Sequence, residues 1–349
     1  EFNNTFTPGA TTAQFSFTKK LEGKALEADA FTFELLENGR VIQTKKNKAD
    51  GTIQFDAISY DKEGTHTYTV REVAGTDTDI DYDTMNAEVT VNVTKNATTG
   101  VLTANVTMPA DSEFNNFAVA PVNVEFDFSK KLKGRDLKAN EFTFKLYDES
   151  GAEVATATND ATGNVKFTGI KYSAGDLGTN ASGQRNSSKT FNYTVKEVIP
   201  TTPEAGMTYD QMEAKVTVTV TKSGHTLVST APSYSSTNGV DADGNATTGV
   251  DTEFNNTFTP AATKAQFKFT KKLEGKPLEA DAFTFELLEN GNVIQTKKNK
   301  ADGTIQFDAI SYATEGPHTY TVREVAGADT DIDYDSMNAV VTVNVTKNA

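Results

Sequence analysis

The stretch FSFTKKLEG, residues 15–23, alternates apolar and polar side chains. Successive side chains on a β-strand point to opposite faces. Phe15, Phe17 and Lys19 therefore share one face. The two phenylalanines must face a core, so Lys19 faces it as well, and Lys20 lies outside. The same reading of YTVREV, residues 68–73, puts Tyr68, Val70 and Glu72 inside and Arg71 outside. In SEFNN, residues 112–116, Phe114 and Asn116 point inward and Asn115 faces solvent. One lysine, one glutamate and one asparagine are thus aimed at the same core.

The intervening runs have the same period of two. FTFELLEN, VIQTKK, TIQFDAIS, THTYTVREV, AEVTVNVTKN and LTANVTM are dense in Val, Thr, Phe and Tyr, the composition of strands rather than helices. Asn38-Gly39 reads as a tight hairpin turn, and Asp50-Gly51 as a second turn before the next strand. Seven or eight short strands in a little over a hundred residues predict an antiparallel β-sandwich of immunoglobulin-like character.

This unit repeats. Residues 1–97 and 253–349 match without a gap at roughly nine positions in ten, the mark of a tandem array. A diverged copy between them keeps FDFSKKL, EFTFKL, YTVKEV and MTYDQMEAKVTVTV. Its extra length falls in two polar inserts, SAGDLGTNASGQRNSSK and STNGVDADGNATTG, which read as surface loops. The expected organisation is a last strand and linker of a preceding repeat at 1–10, a first sandwich at 11–117, a longer second at 121–257 and an incomplete third at 264–349. Proline in each connector (Pro8, Pro121, Pro260) predicts stiff links and a rod.

Composition narrows the function. The chain of 349 residues carries 48 acidic and 33 basic side chains, a net charge of -15, which argues against nucleic acid or anionic lipid as partner. Cysteine is absent, so there is no disulfide framework and no thiol nucleophile. No apolar run is long enough to insert in a membrane. Phosphate loops, nucleophile elbows and paired catalytic histidines are missing, so no turnover enzyme and no cofactor are expected. His66, His225 and His318 read as surface residues.

A buried lysine and a buried glutamate are costly while charged, because burial lowers the pKa of the one and raises that of the other. A neutral amine is a nucleophile, and a protonated carboxyl can donate a hydrogen bond to an amide oxygen and carry the proton. Against a dry asparagine side chain the pair can drive attack of the amine on the amide carbon with loss of ammonia. The product is a Lys–Asn isopeptide bond.

FxFxKxL, YTVxEV and EFNN, in this order and repeated, resemble the Cna B-type isopeptide-forming domains of Gram-positive pilins and adhesins, in particular streptococcal pilin repeats. The resemblance covers two whole repeats and most of the third. It implies a lysine on the first strand joined to an asparagine on the last, assisted by a glutamate on a central strand. By position these are Lys19, Glu72 and Asn116 in the first repeat, and Lys130, Glu197 and Asn256 in the second. The third offers Lys271 and Glu324, but its sequence runs only to Ala349, the counterpart of Ala97, without counterparts of VLTANVTM and EFNN. Asn4, conversely, sits on an orphan strand whose repeat is not in the sequence. Truncation of a longer array accounts for both ends.

The resemblance implies a stalk of a secreted, cell-wall-anchored adhesin or pilus-like fibre, with the anchor outside this sequence. Its partners would be neighbouring repeats of the same surface protein, with host protein or glycan bound by regions elsewhere. Two other readings stay open. The inward charges can be ordinary ion pairs, in a host-ligand-binding sandwich without cross-links. Asp77, Asp79, Asp81 and Asp83, with Glu88 twelfth in the loop, have the alternating spacing of a calcium loop. Tyr82 stands where that loop needs glycine.

Overall fold

The computed structural model describes every residue except 1, 5, 8 and 347–349, so Pro8 and Ala349 lie outside the described residues. The chain forms two compact units. One comprises Glu1–Lys131, Leu137–Val198 and Asp210–Asn255; the other comprises Leu132–Asp136, Ile199–Tyr209 and Asn256–Ala349.

In the first unit, the first repeat contains β1 (Thr11–Ala13), β2 (Ser16–Glu22), β3 (Thr32–Glu37), β4 (Arg40–Lys46), β5 (Thr52–Gln54), β6 (Ile58–Tyr60), β7 (Gly64–Val73), β8 (Ile80–Asp81), β9 (Asn86–Lys95), β10 (Leu102–Thr107) and β11 (Glu113–Ala118). One sheet runs β10-β9-β7-β3-β4 and the other β5-β2-β11-β8, while β1 pairs with β6. Between them lies a core that includes Phe15, Phe17, Phe33, Val70, Val91 and Phe114. The alternation that puts each of these inside is the one read from the sequence. Asn38 and Gly39, between β3 and β4, both have positive φ, 50° and 77°, as a two-residue turn matched to strand twist requires.

One pairing departs from the antiparallel expectation. β11 runs parallel to β2, with Phe114 opposite Lys19 and Asn116 opposite Leu21. A parallel pair needs a long crossover, and here all of β3–β10 supplies it. The first long strand of the repeat and its last strand are therefore neighbours pointing the same way.

The second repeat contributes to this unit a sheet ordered Glu153–Thr158, Thr143–Tyr147, Ser188–Glu197, Glu213–Ser223, Thr226–Ser229, with Ser233–Thr237 also paired to Glu213–Ser223. Val122–Lys133 pairs with Asn164–Tyr172. The first insert is more than a surface loop: it holds a short 3-10 turn, Ala174–Leu177, whose Ala174 and Leu177 are buried. It also reaches the first repeat, where Gly175 N–H donates to Asp79 Oδ1 at 3.2 Å and Arg185 Nη2 donates to the Ile80 carbonyl at 3.1 Å.

Asp81 is central to this junction. It receives Arg185 at 3.1 Å, Lys222 at 2.9 Å and His225 at 2.8 Å. The His225 ring stacks on Phe117 at 3.8 Å, and Ala120 exchanges backbone hydrogen bonds with His225 and Leu227, each 2.9 Å. His225 is exposed, as its sequence suggests, while His66 and His318 are partly buried, each beside a glutamate on a neighbouring strand. Their sequence neighbours carry no hint of these contacts.

In the second unit, the third repeat has the antiparallel sheet Asn292–Lys298, Thr284–Glu289, Gly316–Val325, Asn338–Val345. Two short pairs accompany it, Thr263–Ala265 with Ile310–Tyr312 and Lys268–Thr270 with Thr304–Gln306. Among the described residues no helix is long and apolar enough to cross a membrane.

Candidate functional site

In the first repeat the core closes over polar groups at one end. Lys19 (1% exposed) comes from β2, Glu72 (8%) from β7 and Asn116 (0%) from β11. Lys19 Nζ donates to Glu72 Oε2 at 2.7 Å, and Asn116 Nδ2 donates to Glu72 Oε1 at 2.6 Å. Glu72 thus bridges the two partners, one oxygen to each. Lys19 Nζ also lies 4.7 Å from the centre of the Phe31 ring and 5.9 Å from that of Phe33, so its surroundings are otherwise apolar.

Burial is the largest influence on both titrating groups. It pushes the Lys19 amine below the usual lysine range, against the opposing hydrogen bond and charge of Glu72. It pushes the Glu72 carboxyl up, against its hydrogen bonds from Lys19 and Asn116. Both shifts favour transfer of the lysine proton to the glutamate, leaving a neutral amine beside a neutral acid.

The asparagine is oriented by the backbone. Asp83 N–H donates to Asn116 Oδ1 at 2.7 Å. An N–H can only donate, so the amide oxygen must face Asp83 and the amide nitrogen must face Glu72. This differs from the sequence-based expectation that the acid would hydrogen-bond the amide oxygen. Glu72 stands instead at the nitrogen that would leave, and a backbone donor occupies the place where oxyanion charge would develop. The Asp83 carboxylate fixes this loop by accepting Asn115 N–H at 2.7 Å and Met85 N–H at 2.8 Å. Sequence reading missed this role, although Asp83, Asp210 and Asp335 stand at equivalent places in each repeat.

A glycine permits the close approach of β2 to its neighbouring turn. Gly51 has φ 88°, and a Cβ there would lie 2.5 Å from the Lys19 carbonyl oxygen. Lys19 N–H donates to the Gly51 carbonyl at 2.7 Å. Gly163 and Gly303 meet the carbonyls of Lys130 and Lys271 in the same way.

In the second repeat, Lys130 Nζ donates to Glu197 Oε2 at 2.8 Å, with both residues buried, and sits 4.6 Å from the centre of the Phe142 ring. Burial again lowers the lysine. Asp210, the counterpart of Asp83, is buried and accepts Asn255 N–H at 2.8 Å and Met212 N–H at 2.9 Å. Asn256 is buried on Glu253–Phe258 at the position Asn116 holds on β11.

In the third repeat Lys271 Nζ reaches both oxygens of Glu324, each at 2.8 Å. The pair lines an open cleft of about 270 Å³ together with Phe269, Phe285, Asp335 and Met337. Asn4 is exposed.

The acidic loop divides its side chains among separate tasks. Asp77 accepts Asp79 N–H at 2.9 Å, Asp79 meets Gly175, Asp81 meets Arg185, Lys222 and His225, and Asp83 holds the asparagine strand. Among the described residues no three His, Cys, Asp or Glu side chains are grouped to hold a metal.

Fold and site define a class: tandem β-sandwiches built around inward-facing lysine–glutamate pairs, with an asparagine delivered by the last strand. The chain belongs to the FctA family, the Spy0128-like isopeptide containing domain, whose family model matches residues 15–118, 126–259 and 267–349. No curated protein sequence matches it. Similar solved structures include the Bacillus anthracis TIE protein, 15% identical with a TM-score of 0.21, over 97% of this chain and 48% of that one. They also include BcpA, the major pilin subunit of Bacillus cereus, 13% identical with a TM-score of 0.24, over 97% of this chain and 96% of that one. The T-13 major pilin of Streptococcus pyogenes is 15% identical with a TM-score of 0.28, over 72% of this chain and 98% of that one. The chain spans about half the length of the first of these.

Proposed function

We propose that this chain is a load-bearing stalk segment of a Gram-positive surface adhesin or pilus-like fibre, and that its first two repeats close themselves with Lys19–Asn116 and Lys130–Asn256 isopeptide bonds. The observation that carries the reading is Glu72, buried and hydrogen-bonded to Lys19 and Asn116 at once. Membership of an isopeptide-domain family supports it.

In the proposed reaction Glu72 takes a proton from Lys19, and the neutral Nζ attacks Cγ of Asn116. Charge growing on Oδ1 meets the Asp83 N–H. Glu72 returns the proton to Nδ2, the Cγ–Nδ2 bond breaks and ammonia leaves, while the second Nζ proton passes to the Glu72 carboxylate, so that a neutral Nζ–Cγ amide remains. Each site reacts once, so the chain is a self-modifying structural protein with no turnover. Glu197 takes the same part for Lys130 and Asn256.

The bond would join adjacent parallel strands at the two ends of a repeat. Tension entering on β2 would leave on β11 without loading the ladder between β3 and β10. The repeats are assigned to 11–117, 121–257 and 264–349, preceded by a strand and linker at 1–10. Neighbouring repeats and subunits of the same fibre are the partners, outside the cell and attached to the wall through regions beyond this sequence. The intact mass of the denatured chain tests the chemistry. A deficit of two ammonia molecules is expected, and the full calculated mass would overturn it.

A further inference from the structure

The reactive end of the first repeat is held partly by the second. The backbone N–H that meets Asn116 Oδ1 belongs to Asp83, and residues 79–83 carry it into place. Along this segment the side chains alternate. Ile80 and Tyr82 pack against the core of their own repeat, so Asp79 and Asp81 point the other way. β8 spans only Ile80–Asp81 and pairs with β11 at two positions, and residues 73–78 before it are all exposed. Its own repeat therefore grips the segment by one face.

The second repeat grips the other face. Gly175 N–H donates to Asp79 Oδ1, Arg185 Nη2 donates to the Ile80 carbonyl, and Arg185 Nη1, Lys222 and His225 meet the Asp81 carboxylate. The asparagine strand is seized at the same level. His225 stacks on Phe117, the residue after Asn116, and Ala120 exchanges backbone hydrogen bonds with His225 and Leu227. Both groups that must meet, the Asp83 N–H and the Asn116 side chain, are thus close in sequence to a contact made by the second repeat.

Arg185 is the residue best placed to transmit this. A turn of the insert presents it: Gly183 N–H donates to the Asn180 carbonyl at 2.9 Å, Asn180 N–H to the Gln184 carbonyl at 2.7 Å and Asn186 N–H to the Gly178 carbonyl at 2.9 Å. Its fork binds a carboxylate and a backbone carbonyl at once, which the single ammonium of a lysine does less well. In the second repeat the uncharged Thr208 stands where Asp81 stands in the first, so the device is particular to this junction.

We propose that Arg185, with Lys222 and His225, is a positioning residue for closure of the first repeat: docking of the second repeat fixes residues 79–83 against β11, and the Lys19–Asn116 bond forms rapidly only once the two repeats are joined in this way. The chemistry is the reaction proposed above for Lys19 and Asn116, on which this role rests, with no step added. Charge that grows on Oδ1 during attack needs the Asp83 N–H at hydrogen-bond distance. A misplacement of about 1 Å at such a site costs about 100-fold in rate. The first repeat therefore closes after the second has folded onto it.

The test follows both links in the full chain. A briefly labelled product of cell-free translation is quenched in denaturant at intervals, and the peptides joining Lys19 to Asn116 and Lys130 to Asn256 are quantified by mass spectrometry. Arg185→Ala and the Arg185→Ala/Lys222→Ala pair should slow the first link by about 10–100-fold and leave the second unchanged. Arg185→Lys, which keeps a charge for Asp81, should fall between. Amide exchange in a Glu72→Gln chain, whose first repeat stays unreacted, supplies a second readout. Loss of Arg185 should loosen the Ala120 and Leu227 amides even if it only joins the repeats, but the Asp83 amide loosens only if it positions the site. An unslowed first link in both variants overturns the proposal. So does equal slowing of both links, which assigns Arg185 to the folding of its own repeat, or an Asp83 amide whose protection stays unchanged. If the wild type forms both links and the variants close as fast, the positioning role alone fails; if the wild type forms neither link, the proposed function fails first and this role with it.

Discussion

Replacing Glu72 by glutamine is the sharpest probe of the first repeat. The substituted amide would have nearly the same shape as the carboxyl but could not accept the Lys19 proton, so the Lys19–Asn116 bond should not form. That bond closes a loop of about 100 residues, and losing such a closure costs about 4.7 kcal/mol in the chain-entropy account. The carboxylate that neutralises Lys19 in its apolar pocket disappears as well, and breaking a buried pair costs about 3–5 kcal/mol. The second cost is partly avoided, because Lys19 is already pushed toward its neutral form by burial. Taking the closure alone, and about 4–8 °C per kcal/mol for a domain of this size, the first repeat should melt roughly 19–38 °C lower. Calorimetry reads this as a low-temperature transition splitting from the rest. Intact mass should rise by one ammonia, and the Glu72→Gln/Glu197→Gln double variant by two. A single variant that still lacks two ammonia molecules, or that melts with the wild type, would refute the argument.

Three further outcomes are expected. Bond formation followed from a freshly refolded chain should have a bell-shaped pH dependence, because the reactive amine–acid pair has the same proton count as the ion pair; it should slow in acid when both groups are protonated and in alkali when both have lost their protons. Gly51→Ala should destabilise the first repeat by about 1–3 kcal/mol, since positive φ and the Lys19 carbonyl both oppose a Cβ there, and chemical denaturation would measure it. Asp81, although partial burial pushes its pKa up, is held below the usual aspartate range by Lys222, His225 and Arg185. Its folded pKa lies under its unfolded one, so its contribution is complete above the unfolded pKa and is lost as pH falls through the folded value. The protection factors of the Ala120 and Leu227 amides, which correct for the slower intrinsic exchange in acid, should therefore fall as pH drops, and Asp81→Asn should lower them already at neutral pH.

Much of this protein was settled locally, by a period of two. Alternation alone places Phe15, Phe17 and Lys19 on one face and Tyr68, Val70 and Glu72 on another, because side-chain direction along a strand follows from backbone geometry. Repetition of the pattern made three inward lysines visible as one device. What the sequence left open depended on contacts between residues far apart in the chain. The parallel pairing of β11 with β2 depends on how whole sheets stack. The donor to Asn116 Oδ1 is a backbone N–H, a group every non-proline residue carries, so no residue type could announce it. The acidic loop shows the same limit: four aspartates at calcium-like spacing serve a turn, an insert of the next repeat, a cationic junction and the asparagine strand, because packing of the neighbouring elements, and not spacing, decides which partner each carboxylate meets.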